Sequence, residues 1–279
     1  MRVPLPFPPD LKPLVGVVHL PPLPGSPGWV AEGRPGVEAL VDRVRADADA
    51  FLAAGFDGLL VENYGDTPFF KAVGAETVAL MTRCALEVVR RAGARPVGVN
   101  VLRNDARAAL ACALAAGARF VRVNVHTGAA ATDQGLIEGE AAATLRLRDH
   151  LGASPGSGQA VAILADVHVK HARPLVPDDL GRAASDAAER GRADGLIISG
   201  SATGEAPDAR ALREARAAAP GVPLWLGSGL RPEGCAELVP WLDGAIAASA
   251  AREDGKAGRP VDPARAASLV AAFRAAAGA

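Results

Sequence analysis

Two kinds of segment alternate along this chain, and the alternation limits its fold more than any motif does. Short β-branched or apolar runs are separated by longer stretches rich in Ala, Leu and Arg, the pattern of repeated strand–helix units on a parallel sheet. The runs are LVGVVHL (14–20), GLLVENY (58–64), PVGVNVL (96–102), FVRVNVH (120–126), VAILADVHVK (161–170), GLIIS (195–199), PLWLGSGL (223–230) and GAIAAS (244–249). Helices are expected over 37–54, 75–91, 105–116, 138–150, 178–190, 208–218, 232–239 and 263–276. Several stop at a glycine before the next strand, as at Gly55, Gly93, Gly117 and Gly191. Eight such units predict an α/β fold, a single closed (β/α)8 TIM barrel, and 279 residues suit one. The domain then spans residues 1–279, with 1–13 as a proline-rich lead-in. An open doubly wound sheet would need a Gly-rich phosphate turn after its first strand. PPLPGSPG (21–28) stands there instead, and no acidic ribose partner follows it.

Charge and composition narrow the partners. The formal net charge is −1 with both signs mixed along the chain, so neither nucleic acid nor an anionic membrane surface is an expected partner. A small molecule is. Cys84, Cys112 and Cys235 are odd in number and lack metal-ligand spacing, which suits a reducing compartment. No signal-type apolar core and no run of membrane-spanning length is present, so a soluble, cytoplasmic protein without membrane insertion is expected. Assembly into a homo-oligomer is left open.

In such barrels catalytic groups stand at the C-terminal ends of the strands, above a packed interior. Here those ends carry His19, Glu62 with Asn63, Asn100, Asn124 with His126, Asp166 with His168 and Lys170, and Ser199. Any one of them reads most simply as a satisfied polar residue, but their coincidence on six strands points to a site. Alternation predicts that Arg122, Asn124 and His126 share one face of the fourth strand, and Asp166, His168 and Lys170 one face of the fifth. A charge as deep as Arg122 needs a carboxylate beside it, Asp166 or Glu62. His168 is the expected centre of chemistry, with His126, Asp166 and Lys170 supplying acid, base and electrophile. Lys170 is either an imine-forming amine or a counter-charge to Asp166. His126, Asp166 and His168, with Glu62, are also ligand types for a divalent metal ion, though no local motif supports one and no other cofactor is implied. Gly227, Ser228 and Gly229 after the seventh strand, with Ala248 and Ser249 at the end of the eighth, occupy the usual phosphate-binding place. The loop SGSATGEAPD (199–208) either donates to an anion or simply turns.

Longer blocks carry a resemblance. VGVVHLPPLPGSP, DGLLVENYGDTPF, GVNVLRNDA, VRVNVHTGAAATDQGLIEG, LADVHVKH, DGLIISGSATG and LGSGL resemble successive blocks of the BtpA/SgcQ family, from about Leu14 to the last helix. The resemblance implies a TIM barrel of the ribulose-phosphate-binding type. It carries two functional expectations: an isomerase, epimerase or lyase acting on a phosphorylated sugar or related small molecule, or a non-catalytic factor in the biogenesis of a membrane complex such as photosystem I. The eighth block departs from the family, reading AIAAS where relatives tend to have Gly beside Ser or Thr. Phosphoribosylanthranilate isomerase, a name attached to some similar barrels, is expected to use a Cys at the end of the first strand. His19 stands there, although Asp166 is in the place of its acid, so that activity is not expected.

Overall fold

The computed structural model describes residues 2–175, 179–200 and 206–278. Eight parallel strands close into a barrel: Leu14–His19, Gly58–Glu62, Val97–Asn100, Phe120–Val123, Ala162–Val167, Gly195–Ile198, Leu224–Leu226 and Gly244–Ala247. They are the first to eighth barrel strands, and the eighth pairs back to the first. Every strand lies inside a predicted run and ends before that run does. The polar residues at the exit ends therefore stand on strand tips or loops rather than deep in the ladder.

This shortening matters most on the fourth and fifth strands. Asn104 takes both backbone groups of Val125, accepting its N–H at 2.8 Å and donating to its C=O at 2.9 Å, so the fourth strand cannot continue. Beyond the fifth strand His168 adopts a left-handed φ of 53°. Strand alternation is lost at both places, and the expected common faces break after Asn124 and after Asp166. The freed segments build a three-stranded antiparallel sheet that the sequence did not announce: Ala129–Thr132 pairs with Gly135–Glu138 on one side and Ala172–Pro174 on the other. Ala130 and Ile137 pack it onto Val125 and Val169. Strands of three or four residues reading AAAT, GLIE and ARP carry little β signal.

The helices Val37–Ala54, Ala75–Ala92, Ala106–Ala116, Ala141–His150, Ala209–Ala218 and Pro263–Ala277 match the predicted spans to within three residues at either end. Asp105, Asp208 and Asp262 each accept an N–H of the following first turn, a standard N-cap. The sixth predicted helix appears as Leu180–Ser185 running into a π turn, Asp186–Arg190. Its expected start at Asp178, and residues 201–205 of the 199–208 loop, lie outside the described residues. The span 232–239 is broken into the short turns Pro232–Gly234, Cys235–Leu238 and Val239–Trp241. Gly55 and Gly117 do stop their helices in the left-handed region, but Gly191 has φ −74°. It is glycine for space: a Cβ there would sit 2.6 Å from Thr127 and 3.1 Å from the His126 ring.

At the lower end Asp57, Asp194 and Asp243 precede the second, sixth and eighth strands. Each accepts an N–H at the start of the preceding strand, from Leu14, Ile163 and Leu224, and each is met by an arginine, Arg274, Arg148 and Arg216. These clasps fix neighbouring strands in register. The proline-rich lead-in then plugs the barrel from below: Phe7 lies 5.4 Å from Trp225 and 6.1 Å from Phe120, ring centre to ring centre, and Val3 joins the same interior cluster. With the bottom filled, the lumen opens only at the strand C-termini. No helix among the described residues is long and apolar enough to cross a membrane.

Candidate functional site

The floor of the mouth is an ion pair. Arg122, 4 % exposed, donates from Nε and Nη2 to the two carboxylate oxygens of Asp166, both at 2.8 Å. Asn124 Nδ2 adds a third bond to Asp166 at 2.8 Å. The carboxylate expected beside Arg122 is thus Asp166, held in a planar two-point fork. Burial pulls the Arg122 guanidinium down, but Asp166 more than offsets it and the group is held above its ordinary value. Asp166 is saturated by these partners. Its counter-charge is Arg122 and not Lys170, which forms no ion pair among the described residues.

One step up, the first three strands place His19, Glu62 and Asn100 side by side in register. Asn100 Nδ2 donates to Glu62 Oε2 at 2.7 Å, and His19 Nε2 lies 3.7 Å from Glu62 Oε1. His19 Nδ1 accepts the N–H of Gly258 at 3.1 Å, so the ring's proton belongs on Nε2, facing Glu62. Tyr64 stacks on that ring at 4.2 Å. Burial, then Arg252 and Lys170, push His19 well below the usual histidine value and keep it neutral. Lys170 is likewise lowered, first by burial and then by Arg122.

A single cavity joins these groups to the glycine turn. His19, Glu62 and Lys170 line one part of it; Gly227, Ser228, Gly229, Ala248 and Ser249 line another. Its own free volume is about 30 Å³, and through Lys170 it adjoins a cavity of about 740 Å³ that Lys170 lines with His168 and Ser199. Gly229 has φ 83°, which only glycine adopts readily, and a Cβ on Gly227 would lie 2.4 Å from Ile197 and from Ser199 Oγ. Among the described residues the backbone N–H groups of Ser228 and Gly229 donate to no carbonyl, and the buried hydroxyls of Ser199 and Ser228 have no hydrogen-bond partner.

Two expected residues are elsewhere. His126, 1 % exposed, bonds the carbonyl of Gly191 through Nε2 at 2.8 Å, outside the mouth and in the field of Asp194 and Arg148. His168 does not line the mouth cavity: it lines one of about 350 Å³ beneath the small sheet, with Asn124 and Asp166 on its wall, and shares another of about 740 Å³ with Lys170 and Ser199. The metal set His126, Asp166 and His168 is consequently not gathered: among the described residues no three His, Cys, Asp or Glu side chains are placed to hold an ion.

Three contributors escaped the sequence reading. Tyr64 follows the second strand, Arg103 follows the third, and Arg252 follows the eighth and is tied to Asp47 and the Val17 carbonyl, both at 2.7 Å. In an arginine-rich chain none of the three stood out, although Arg252 and Arg103 are buried to 1 % and 5 % exposure.

Of the three lowered histidines, the two deeply buried ones, His19 and His126, set a pH dependence. Burial lowers both His19 and His126 in the folded state, so below about pH 6.5 the unfolded chain takes up protons that the fold refuses. Stability is expected to be flat above that pH and to fall below it, by up to about 1.4 kcal/mol per pH unit for each histidine. Urea titrations from pH 8 to 5 on the wild type and the His19→Gln and His126→Gln variants measure this. A wild type as stable at pH 5 as at pH 7.5 would contradict it.

Sealed below and polar above, the closed parallel barrel makes this a TIM-barrel protein. Similar solved structures include a native KDPGal structure (15 % identity, TM-score 0.58, 96 % of this chain and 97 % of that one) and an OMP decarboxylase of Leishmania donovani (17 %, 0.57, 96 % and 95 %). A phosphoribosyl anthranilate isomerase of Thermococcus kodakaraensis is similar too (14 %, 0.54, 95 % and 99 %). At these identities the likeness is one of fold. The BtpA family model matches residues 10–275, and the chain belongs to the BtpA family. It is 44 % identical over 263 residues to the photosystem I biogenesis protein BtpA of Synechocystis sp., covering 94 % of this chain and 88 % of that one. An uncharacterized protein of Pyrococcus horikoshii is 43 % identical over 245 residues (88 % and 89 %), and an uncharacterized mitochondrial protein of Caenorhabditis elegans 30 % over 236 (82 % and 81 %).

Proposed function

We propose that the protein is an enzyme of isomerase, epimerase or lyase type that binds a phosphorylated sugar, or a related small phosphate ester, at the barrel mouth. The observation that carries this reading is the shared cavity: Glu62 and Lys170 stand in the same space as the Gly227–Gly229 turn and Ser249. The N–H groups of Ser228 and Gly229 and the Ser228 hydroxyl lack partners among the described residues and suit a phosphate. Anchoring the phosphate there leaves the other end of a sugar-sized molecule to the acid–base pair. Glu62, steadied by Asn100, takes a proton from the carbon next to a carbonyl, while Lys170 donates a hydrogen bond or its proton to the carbonyl oxygen as charge develops there. Returning the proton to the same carbon gives an epimer and to the neighbouring carbon an isomer; losing a β-hydroxyl as water, protonated by Lys170, gives a lyase. His19, neutral with its Nε2 proton towards Glu62, orients that carboxylate without competing for the proton.

Inorganic phosphate and ribose 5-phosphate are expected to raise the melting temperature. At a hundredfold excess over Kd the gain is about 2.7 kcal/mol, several degrees for a chain of this size. Ser249→Asp places a negative charge at the cavity wall and removes the gain. No shift in the wild type, or an equal shift in Ser249→Asp, defeats the phosphate assignment.

A second reading is favoured by one comparison, the 44 % identity to a photosystem I biogenesis protein: the chain acts as a binding factor for a membrane complex. Complementation separates the two. If cells lacking their own family member are fully rescued by folded Glu62→Gln and Lys170→Met variants, the enzyme reading falls.

A further inference from the structure

Two cations of the mouth are left without an ion pair among the described residues. Arg122 is matched by Asp166 and Arg252 by Asp47. Lys170 and Arg103 have no ion pair among the described residues, although the fields of Glu62 and Asp166 reach both and that of Asp133 reaches Arg103. Lys170 faces the mouth cavity already described. Arg103 is the unexplained charge: it is 5 % exposed, its Nη2 donates to the Lys170 carbonyl at 2.6 Å, and neither Nε nor Nη1 has a partner among the described residues. Those two nitrogens are not among the sealed, unpartnered atoms, so they still reach open space. A guanidinium buried this far is normally forked onto a carboxylate, because an unpaired buried charge is costly. Burial does pull Arg103 below its ordinary value, and it remains a cation.

Its position in the barrel gives that charge a meaning. In the strand order of the closed sheet, the third strand lies four places from the seventh in either direction. The backbone of Arg103, just beyond the third strand, is therefore across the barrel from the Gly227–Gly229 turn, and its guanidinium reaches to the Lys170 carbonyl past the fifth strand. Its hydrogen bond to the Lys170 carbonyl ties Arg103 to a residue that lines the mouth, and the fields of Asp166, Asp133, Arg122 and Glu62 all reach it.

From this geometry we infer that Arg103 is a second anion subsite, and that the ligand carries a carboxylate at the end opposite its phosphate. This deepens the phosphate-ester reading and rests on it: the substrate class becomes a phosphorylated sugar acid, spanning the mouth with Glu62 and Lys170 between its two charged ends. One N–H of Nη2 is taken by the Lys170 carbonyl; the other, with the parallel N–H of Nε or Nη1 beside it, forms a fork that matches a carboxylate in two places.

A matched pair of probes tests it by calorimetry: 6-phosphogluconate, with phosphate and carboxylate, and sorbitol 6-phosphate, which has CH2OH in place of the carboxylate. Gluconate serves as the carboxylate without phosphate. The wild type is expected to prefer 6-phosphogluconate by about tenfold or more, the worth of a charge-assisted fork. Arg103→Met should bring the ratio close to one, and Arg103→Lys, which keeps the charge but not the fork, should leave part of it. The ratio cancels any general loosening of the mouth that these substitutions cause. A wild type without preference for the carboxylate overturns the inference, as does a preference that survives in Arg103→Met. If sorbitol 6-phosphate and inorganic phosphate fail to bind while gluconate binds in an Arg103-dependent way, the phosphate assignment fails and the carboxylate subsite stands.

Discussion

Asp166→Asn is expected to lower the free energy of unfolding by about 3–5 kcal/mol, the cost of leaving a buried cation without its counter-charge. Arg122 is 4 % exposed and its two bonds to Asp166 are both 2.8 Å, so the asparagine can replace neither the charge nor the symmetric fork. The Asn124 amide loses its carboxylate acceptor as well. Removing both charges together tells a different story. In Arg122→Met/Asp166→Leu no ion is buried, and most of the loss should be recovered, because a well-packed apolar pair often replaces an internal ion pair at little cost. Urea unfolding of the two single variants and the double variant gives the coupling energy directly. A loss below about 1 kcal/mol for Asp166→Asn would mean that the floor of the mouth is hydrated and the pair weak. The same experiment guards against a false conclusion about chemistry. A residue whose removal destabilises the whole barrel lowers any activity, so inactivity of Asp166→Asn says nothing of catalysis unless the double variant is folded and inactive too.

Legibility in the sequence tracked the range over which the physics acts. Strands such as GLIIS and the helix 37–54 declare themselves through local periodicity, and the eightfold alternation leads to the closed barrel. The Arg122–Asp166 pair was also readable, because two positions inside regular strands keep their alternation and an internal charge demands a partner. The reading failed where regularity ends. It carried alternation through His126 and Lys170, but Asn104 captures Val125 and His168 turns to φ 53°, so the tips rotate. His126 went outward to Gly191, whereas Lys170 still came to line the mouth. Arg103, Tyr64 and Arg252 lie on loops, where no period exists to say which way a side chain points. Their partners are 67, 45 and 205 positions away, as Arg103 to Lys170, Tyr64 to His19 and Arg252 to Asp47 show.

Glu62→Gln is expected to slow proton transfer by about 10²–10⁴-fold while leaving the fold intact, since glutamine keeps the shape and still accepts from Asn100. Lys170→Met should cost activity to a similar degree but change stability in the opposite sense to Asp166→Asn. Burial, then Arg122, lowers the folded-state value of Lys170, so the fold holds this proton less well than the unfolded chain does. Below the folded value the full penalty for a charged lysine is present; as pH rises towards the unfolded value of about 10.4, the folded lysine sheds its proton and the penalty disappears. Removing the amine therefore stabilises the protein most near neutral pH, by about 0.5–2 kcal/mol, the range typical of relieving a group kept for function. The gain should shrink in urea titrations repeated at rising pH. Activity is read without knowing the final product, by deuterium wash-in from D2O at the carbon beside the carbonyl across a panel of carbonyl sugar phosphates. Exchange in the wild type that falls in both variants, together with a more stable Lys170→Met, identifies a pair retained for chemistry against the interest of the fold. Exchange that persists within about threefold in Glu62→Gln moves the base elsewhere, because a general base contributes far more than that.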